Sequence, residues 1–284
     1  MTKKRVCFLS MDSLDGYVSD DELAIAPLTE LGWRVETRSW RDKTVDWNEF
    51  DAVIIRTTWD YQRDPEAFVS VLEKIENSSA KLENPLDIVR WNLSKTYLKE
   101  MNERGCQIVP TIWGERYSAD NFAGWLDRFG GELIVKPLVS ATAEHTYRLK
   151  CYDSALENVF EGREFMVQPF LQSIVTEGEF SLFYFGGEFS HAINKAPKAF
   201  DFRVQEEHGG LITALQPGAD LLEAGGRAIG LIDRELLYAR IDLVRGPDDE
   251  FALMELELIE PALYYRMDPD AAGMFARHLH RRLG

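Results

Sequence analysis

Cysteine is scarce and badly placed for chemistry: Cys7, Cys106 and Cys151 are odd in number, far apart, and form no C-x-x-C or similar ligand spacing. They read as reduced thiols of a cytoplasmic protein. Long apolar runs are absent too, since none approaches the roughly 20 residues that cross a bilayer. Residues 1–10 are a short basic start and a strand-length apolar run, without a signal-peptide core or cleavage site. Bases are in deficit, 32 against 48 acids for a net charge of −16, which argues against nucleic acid or an anionic membrane as partner. Any anionic ligand must therefore meet local clusters of Lys and Arg. Internal repeats and low-complexity segments are also missing.

What remains is an ordinary globular composition, 45% hydrophobic over 284 residues, enough for two domains or one large α/β unit. Residues 5–10, 33–39 and 52–55 read as strands, and 21–31 and 65–75 as helices, the first ended by Gly32. Strands alternating with helices predict a small parallel α/β domain, whose ligands gather at the carboxyl ends of the strands. One such loop, Arg56-Thr-Thr-Trp59-Asp-Tyr61, offers a cation, hydroxyls and two aromatics. It suits recognition of a small polar molecule, or else folds its aromatics onto the domain. Neither strand-end loop, 11–19 or 56–63, carries G-x-G-x-x-G or a Walker lysine, which disfavours a dinucleotide or P-loop site.

Asn84-Pro85 marks the exit from this domain. A helix over 93–104 then follows an Asn92 N-cap, with Lys95 in its first turn. A cation there opposes the helix dipole, so a phosphate partner is attractive, although a solvated lysine fits as well. A short strand is expected at 107–109, a helix at 118–129, and a buried strand at 133–135 that delivers Lys136 beside the small-residue loop 138–146. Such a loop can cradle phosphate with backbone N–H groups. Residues 165–170 form another strand, and 178–185 pairs with 188–194 through Gly186-Gly187. The irregular stretch 195–210 brings Lys195, Lys198 and Arg203 near a Gly-Gly turn, as an anion site or a solvated loop. A helix follows Pro217, and another spans 269–283.

The most informative stretch is 238–261, two apolar arms with charges at alternate positions around Gly-Pro-Asp-Asp, the pattern of a β-hairpin. Side chains two apart share a face, so Arg240 and Asp242 point together, as do Glu255 and Glu257. If Asp242 lies opposite Glu255 or Leu253, all four meet. Three carboxylates so close need something positive among them, and a hard divalent cation such as Mg²⁺ is the natural candidate. A solvated outer face is the alternative.

The order of these features resembles the ATP-grasp superfamily of ligases: Lys at a helix start, Val-Lys-Pro, Gln-Pro-Phe-Leu, Gly-Glu before a strand, Asp-Phe-Arg with Gly-Gly, then Asp followed by Glu-x-Glu. Residues 1–88 look like the domain preceding the grasp in bacterial glutathione synthetases. Arg-Thr-Thr-Trp-Asp-Tyr and Arg-Trp-Asn-x-x-Lys look closer to the branch of the O-ureidoserine cyclo-ligase that makes cycloserine. The resemblance implies an N-terminal α/β domain over 1–88 and a two-lobed α+β ATP-grasp domain over 89–284, with lobes at about 89–170 and 171–284.

It further implies that Lys95, Lys136 and Ser140 hold ATP phosphates. Gln168, Phe170 and Leu171 would line the adenine hinge, the last two mainly through backbone, and Glu179 would face the ribose. Asp242, Glu255 and Glu257 match the Mg²⁺ ligands, for two ions with Mn²⁺ as a substitute. Arg203 matches the arginine that steadies the transferring phosphoryl group, with Arg240 beside it. Arg56, Trp59 and Tyr61, together with Arg240, are the substrate-side candidates. Two departures stand out: the loop from Ser140 to Ala143 has no glycine, and Phe200 precedes Asp201 where similar sequences often have glycine.

The implied activity joins a carboxylate of a small amino acid or peptide-like substrate to an amine through an acyl phosphate, releasing ADP and phosphate. A non-catalytic ATP sensor and an ATP-dependent phosphotransferase are the rival classes. The substrate, the choice between cyclisation and intermolecular joining, and a homodimeric state are not specified by the sequence.

Overall fold

In β1 (Lys4–Ser10), Val6 and Phe8 enter one apolar cluster and Cys7 and Leu9 another, and all four are buried. A strand covered on both faces reads as a continuous apolar run, which is how residues 5–10 appear in the sequence. The computed structural model describes residues 4–114, 116–199 and 201–284. β2 (Trp33–Ser39), β3 (Ala52–Thr57) and β4 (Lys81–Glu83) complete a parallel sheet in the order β2-β1-β3-β4. α1 (Ile25–Glu30) is short, and α2 (Pro65–Glu76) starts where Asp64 accepts a hydrogen bond from the Ala67 N–H. Phe68, Leu72 and Ile75 of α2 cover the Cys7 and Leu9 face.

The opposite face of this sheet packs on Phe183, Phe185, Tyr238 and Phe275 from the far half of the chain. One apolar cluster thus joins residues from 1–88 and 89–284.

Of the helix expected over 93–104 only α4 (Tyr97–Glu103) forms, and a further helix, α3 (Leu86–Asn92), precedes it where none was expected. Asn92 therefore closes a helix instead of capping one, and Lys95 sits in the link between them, so the dipole argument does not apply to it. A second sheet is antiparallel, β5-β8-β6-β7, from β5 (Ile112–Gly114), β6 (Leu133–Pro137), β7 (Tyr147–Leu149) and β8 (Phe165–Pro169). α5 (Ala119–Phe129) lays Phe122 and Trp125 on Val135 and Phe165, and the one-turn α6 (Glu157–Phe160) adds Phe160. The strand expected at 107–109 is a single parallel bridge, Ile108 to Leu253, and the Val109 carbonyl that would continue it accepts from the Thr111 hydroxyl at 2.7 Å instead.

After α7 (Ser173–Thr176), the third sheet runs β11-β10-β9-β12-β13. Its strands are β9 (Glu179–Phe185), β10 (Glu188–Ala196), β11 (Leu211–Leu215), β12 (Tyr238–Arg245) and β13 (Phe251–Glu257). β10 extends through Lys195, into the stretch 195–210 that is expected to be irregular. β11 went unread because it is an edge strand whose Leu211 is exposed. Gly186, at φ 56° in the β9–β10 turn, cannot carry a side chain, since a Cβ would meet Nδ1 of His278 at 2.2 Å. α8 (Ala219–Gly230) and α9 (Ala271–Leu283) complete the layers, α9 on the core shared with the parallel sheet. Among the described residues no helix is long and apolar enough to cross a membrane.

Candidate active site

The β12–β13 register sets Asp242 opposite Glu255 and Arg240 opposite Glu257, with an irregularity after Asp242. On the other side of β12, Ser181 of β9 faces Asp242, and Glu179 pairs in turn with Lys195 of β10. Alternation therefore gathers acids and bases from four strands on one face. Arg240 grips Asp242 with two nitrogens, Nε to Oδ1 at 3.0 Å and Nη2 to Oδ2 at 2.9 Å, and also pairs with Glu257. Ser181 donates to Asp242 at 2.5 Å. Lys195 bridges Asp242 at 3.2 Å and Glu179. Lys95 reaches Glu255 at 2.9 Å and the Ser140 carbonyl at 2.9 Å.

The acids are thus neutralised by protein cations, and among the described residues no group of three or more His, Cys, Asp or Glu stands ready around a metal. The electrostatic demand that suggested a divalent ion is met by Arg240, Lys195 and Lys95. Burial would raise Asp242, but Arg240 and Lys195 hold it well below the carboxylate range. Against burial, Lys95 and Lys136 keep Glu255 low. Burial lifts Glu257 to about 7, and lifts Glu179 despite Lys195. Glu255 and Glu257 nevertheless keep 27% and 28% of their side chains open to the cleft. Hard oxygen donors on one face, two of them accessible, fit a Mg²⁺ ion once their cations find other partners.

Lys136 is different. Its side chain is buried, no acid lies within salt-bridge distance among the described residues, and its Nζ meets only the Met254 sulfur, at 3.8 Å. Burial lowers its pKa, Glu255 opposing. The cleft wall beside it is formed by Ser140, Ala141, Thr142, Ala143 and Thr146 of the glycine-free loop. Thr142, Ala143 and His145 take left-handed φ of 52°, 56° and 57°, the conformation glycine would adopt more readily. His208 Nε2 lies 3.3 Å from the Thr142 carbonyl, and Gln62 donates to Glu144 at 3.1 Å, so the loop rests against both halves of the chain.

Gln168 and Phe170 line the same cleft, as do Glu179 and Arg203. Gln168 donates to Thr111 at 3.0 Å, and Arg148 lies 3.6 Å over the Phe170 ring. The Phe170 N–H bonds the Glu132 carbonyl at 2.8 Å. Leu171 is off the cleft wall, packed with Val109, Ile174 and Val204. Arg203 is held by Asp201 through a 3.0 Å pair. Phe200, the second departure in the sequence, lies outside the described residues.

Arg56 requires a correction. It is fully buried and absent from the cleft wall, paired with Asp21 at 2.7 Å and donating to the Pro261 carbonyl at 3.1 Å. Sequence reasoning saw the cation but not Asp21, 35 residues away. Trp59 and Tyr61 do reach the cleft, Tyr61 stacked on Phe68.

Arg56 is one of a series of clamps on the chain leaving β13. Tyr97 Oη accepts from the Leu256 N–H, Asn92 from the Leu258 N–H, and Asn84 donates to the Leu258 carbonyl. The next five carbonyls are taken in turn: Ile259 by Tyr238, Glu260 by Trp59, Pro261 by Arg56, Ala262 by Arg240 and Leu263 by His191. Side chains replace a missing strand partner, and they fix Glu260 and Tyr264 in the cleft wall. Sequence reasoning missed both, because strand alternation stops before them.

A family model described as D-cycloserine synthetase DcsG, N-terminal domain, matches residues 6–84. The cycloserine biosynthesis protein DcsG of Streptomyces lavendulae is 30% identical over 274 residues, covering 89% of this chain and 90% of that protein. The crystal structure of D-cycloserine synthetase DcsG aligns at TM-score 0.83 and 26% identity, over 99% of this chain and 100% of that one. The ATP-grasp ligase PsnB, complexed with a phosphomimetic variant of a minimal precursor, Mg and ADP, shares the fold at TM-score 0.70 and 14% identity over the whole of both chains. D-alanine–D-alanine ligase of Bacillus anthracis, complexed with ATP, shares it at 0.65 and 18% identity, over 97% of this chain and 94% of that one. With about nine-tenths of both sequences aligned and the fold held in common throughout, the chain belongs to the DcsG family and has the fold of the ATP-grasp ligases.

Proposed function

We propose that the protein joins a carboxylate to an amine at the expense of ATP, through an acyl phosphate, on a small amino acid or peptide-like substrate. The observation that carries this reading is Lys136, a buried cation in the cleft without an acidic partner among the described residues. A buried unpaired charge is costly, and a phosphate offsets that cost.

Lys136, Lys95 and Ser140 receive the phosphates, while Gln168 and Phe170 flank the base, Leu171 supports the hinge from behind, and Glu179 faces the ribose. When phosphate oxygens take over Lys95, Glu255 is released from its 2.9 Å pair. Glu255, Glu257 and Asp242 would then hold two Mg²⁺ ions, or Mn²⁺ in their place. Bound there, the metal would neutralise charge on the β- and γ-phosphates.

The substrate carboxylate oxygen attacks the γ-phosphorus, and the bond to the β–γ bridging oxygen breaks to release ADP. The amine then attacks the acyl carbon, the bond to phosphate breaks, and the amine loses a proton to solvent. Arg203, with Arg240 behind it, faces the charge that develops on the phosphoryl group. Trp59 and Tyr61 wall the substrate end.

Mass analysis of products formed with ATP, Mg²⁺ and a panel of amino acids and dipeptides tests the reading. A new amide with equimolar ADP and phosphate is expected. E255Q should cut ADP release by about 100-fold with its melting temperature nearly unchanged. Full turnover by E255Q overturns the metal assignment, and a stable phosphorylated product would make the enzyme a kinase.

A further inference from the structure

We propose that Glu260 is the docking point for a positively charged amino group of the substrate. The inference rests on the ligase reading above and names one end of the molecule the cleft accepts. Glu260 is 8% exposed and lines the cleft next to Trp59, Arg240, Ala262 and Tyr264.

Every strand-borne acid of the cleft already has a cation: Glu179 has Lys195, Asp242 has Lys195 and Arg240, Glu255 has Lys95, and Glu257 has Arg240. Glu260 has none. Among the described residues no cation lies within 4.0 Å of its carboxyl and no donor bonds it, while its own backbone carbonyl is taken by Trp59 at 2.8 Å. A buried carboxyl left without partner is the counterpart of Lys136, and it calls for a ligand of opposite sign.

Its position is rigid, because the carbonyls from Ile259 to Leu263 are each held by a buried side chain. Tyr264 completes the pocket from a left-handed backbone, φ 45° and ψ 45°, a strained conformation that the same clamps over-determine. Trp59, whose indole N–H fixes the Glu260 carbonyl, offers an aromatic surface to the same cation.

The arrangement sorts the ends of a zwitterion. Burial, with Glu257 nearby, pushes the empty Glu260 carboxyl well above the carboxylate range, and an ammonium set against it restores the charged form, whereas Lys136 and Arg203 on the other walls favour a carboxylate. An amino acid can then enter in one orientation, with its carboxylate toward the phosphates and its amino group at Glu260.

Two probes that differ only in that amino group test the proposal, O-ureidoserine and the same molecule without its α-amine. Each is titrated calorimetrically into the whole protein with ADP and Mg²⁺ present. Wild type should bind the amine-bearing probe at least about tenfold more tightly. E260Q, which is isosteric, should lose that preference while its affinity for ADP stays within about twofold, and E260D should keep a preference. Retention of the full preference by E260Q, or an equal or absent response of wild type to the two probes, overturns the proposal. ADP release from ATP is scored in parallel. Failure there with the binding preference intact removes the ligase reading alone, and turnover without the preference removes Glu260 alone.

Discussion

Arg56 is a charge with no exposure, and the free energy of holding it there depends on Asp21, the Pro261 carbonyl and the Tyr238 ring 5.4 Å away. Removing one member of a buried pair leaves the other uncompensated, at a cost of about 3–5 kcal/mol. Arg56→Met should therefore lower the free energy of unfolding in urea by that amount, and an unchanged midpoint would contradict the buried-pair description. The same residue marks a limit of sequence reading. A cation among aromatics reads equally well as a ligand anchor or an internal clamp, and only the fold brings Asp21 to it. Asp242, Glu255 and Glu257 were legible because a strand's period of two puts them on one face whatever the surroundings. Glu260 was not, since it follows the strand and obeys no period.

At the scale of elements, β13 presents the site while lying at the edge of its sheet. Its free edge is satisfied by side chains of α3 and α4: Tyr97 Oη accepts from the Leu256 N–H at 2.9 Å and donates to the Leu256 carbonyl at 3.2 Å. Tyr97→Phe leaves a buried N–H without a partner and should cost about 1–3 kcal/mol. Because Glu255 and Glu257 flank Leu256, turnover should fall as well. Thermal unfolding and ADP release measured on the same sample check both, and wild-type values in each would show that the clamp is idle. The sequence marks α4 by its Gly105 stop but starts it too early, at an Asn92 cap, and it does not mark α3 at all. Periodicity reports which residues face the core, and Asn92 and Tyr97 face it in order to hydrogen-bond a strand more than 150 residues away.

For the whole molecule, a net charge of −16 is combined with a cleft where Lys95, Lys136, Lys195, Arg203 and Arg240 converge. Anions are repelled in general and attracted in one place. The strand-borne acids of the cleft are paired with Lys95, Lys195 and Arg240, so magnesium should gain its site only when nucleotide phosphates take the lysines. Calorimetric titration of ATP with and without Mg²⁺ measures that coupling directly. The structure predicts tight ATP binding with Mg²⁺, weakened at least about tenfold by EDTA, and no measurable binding of Mg²⁺ alone. ATP affinity indifferent to magnesium, or strong magnesium binding without nucleotide, would contradict it.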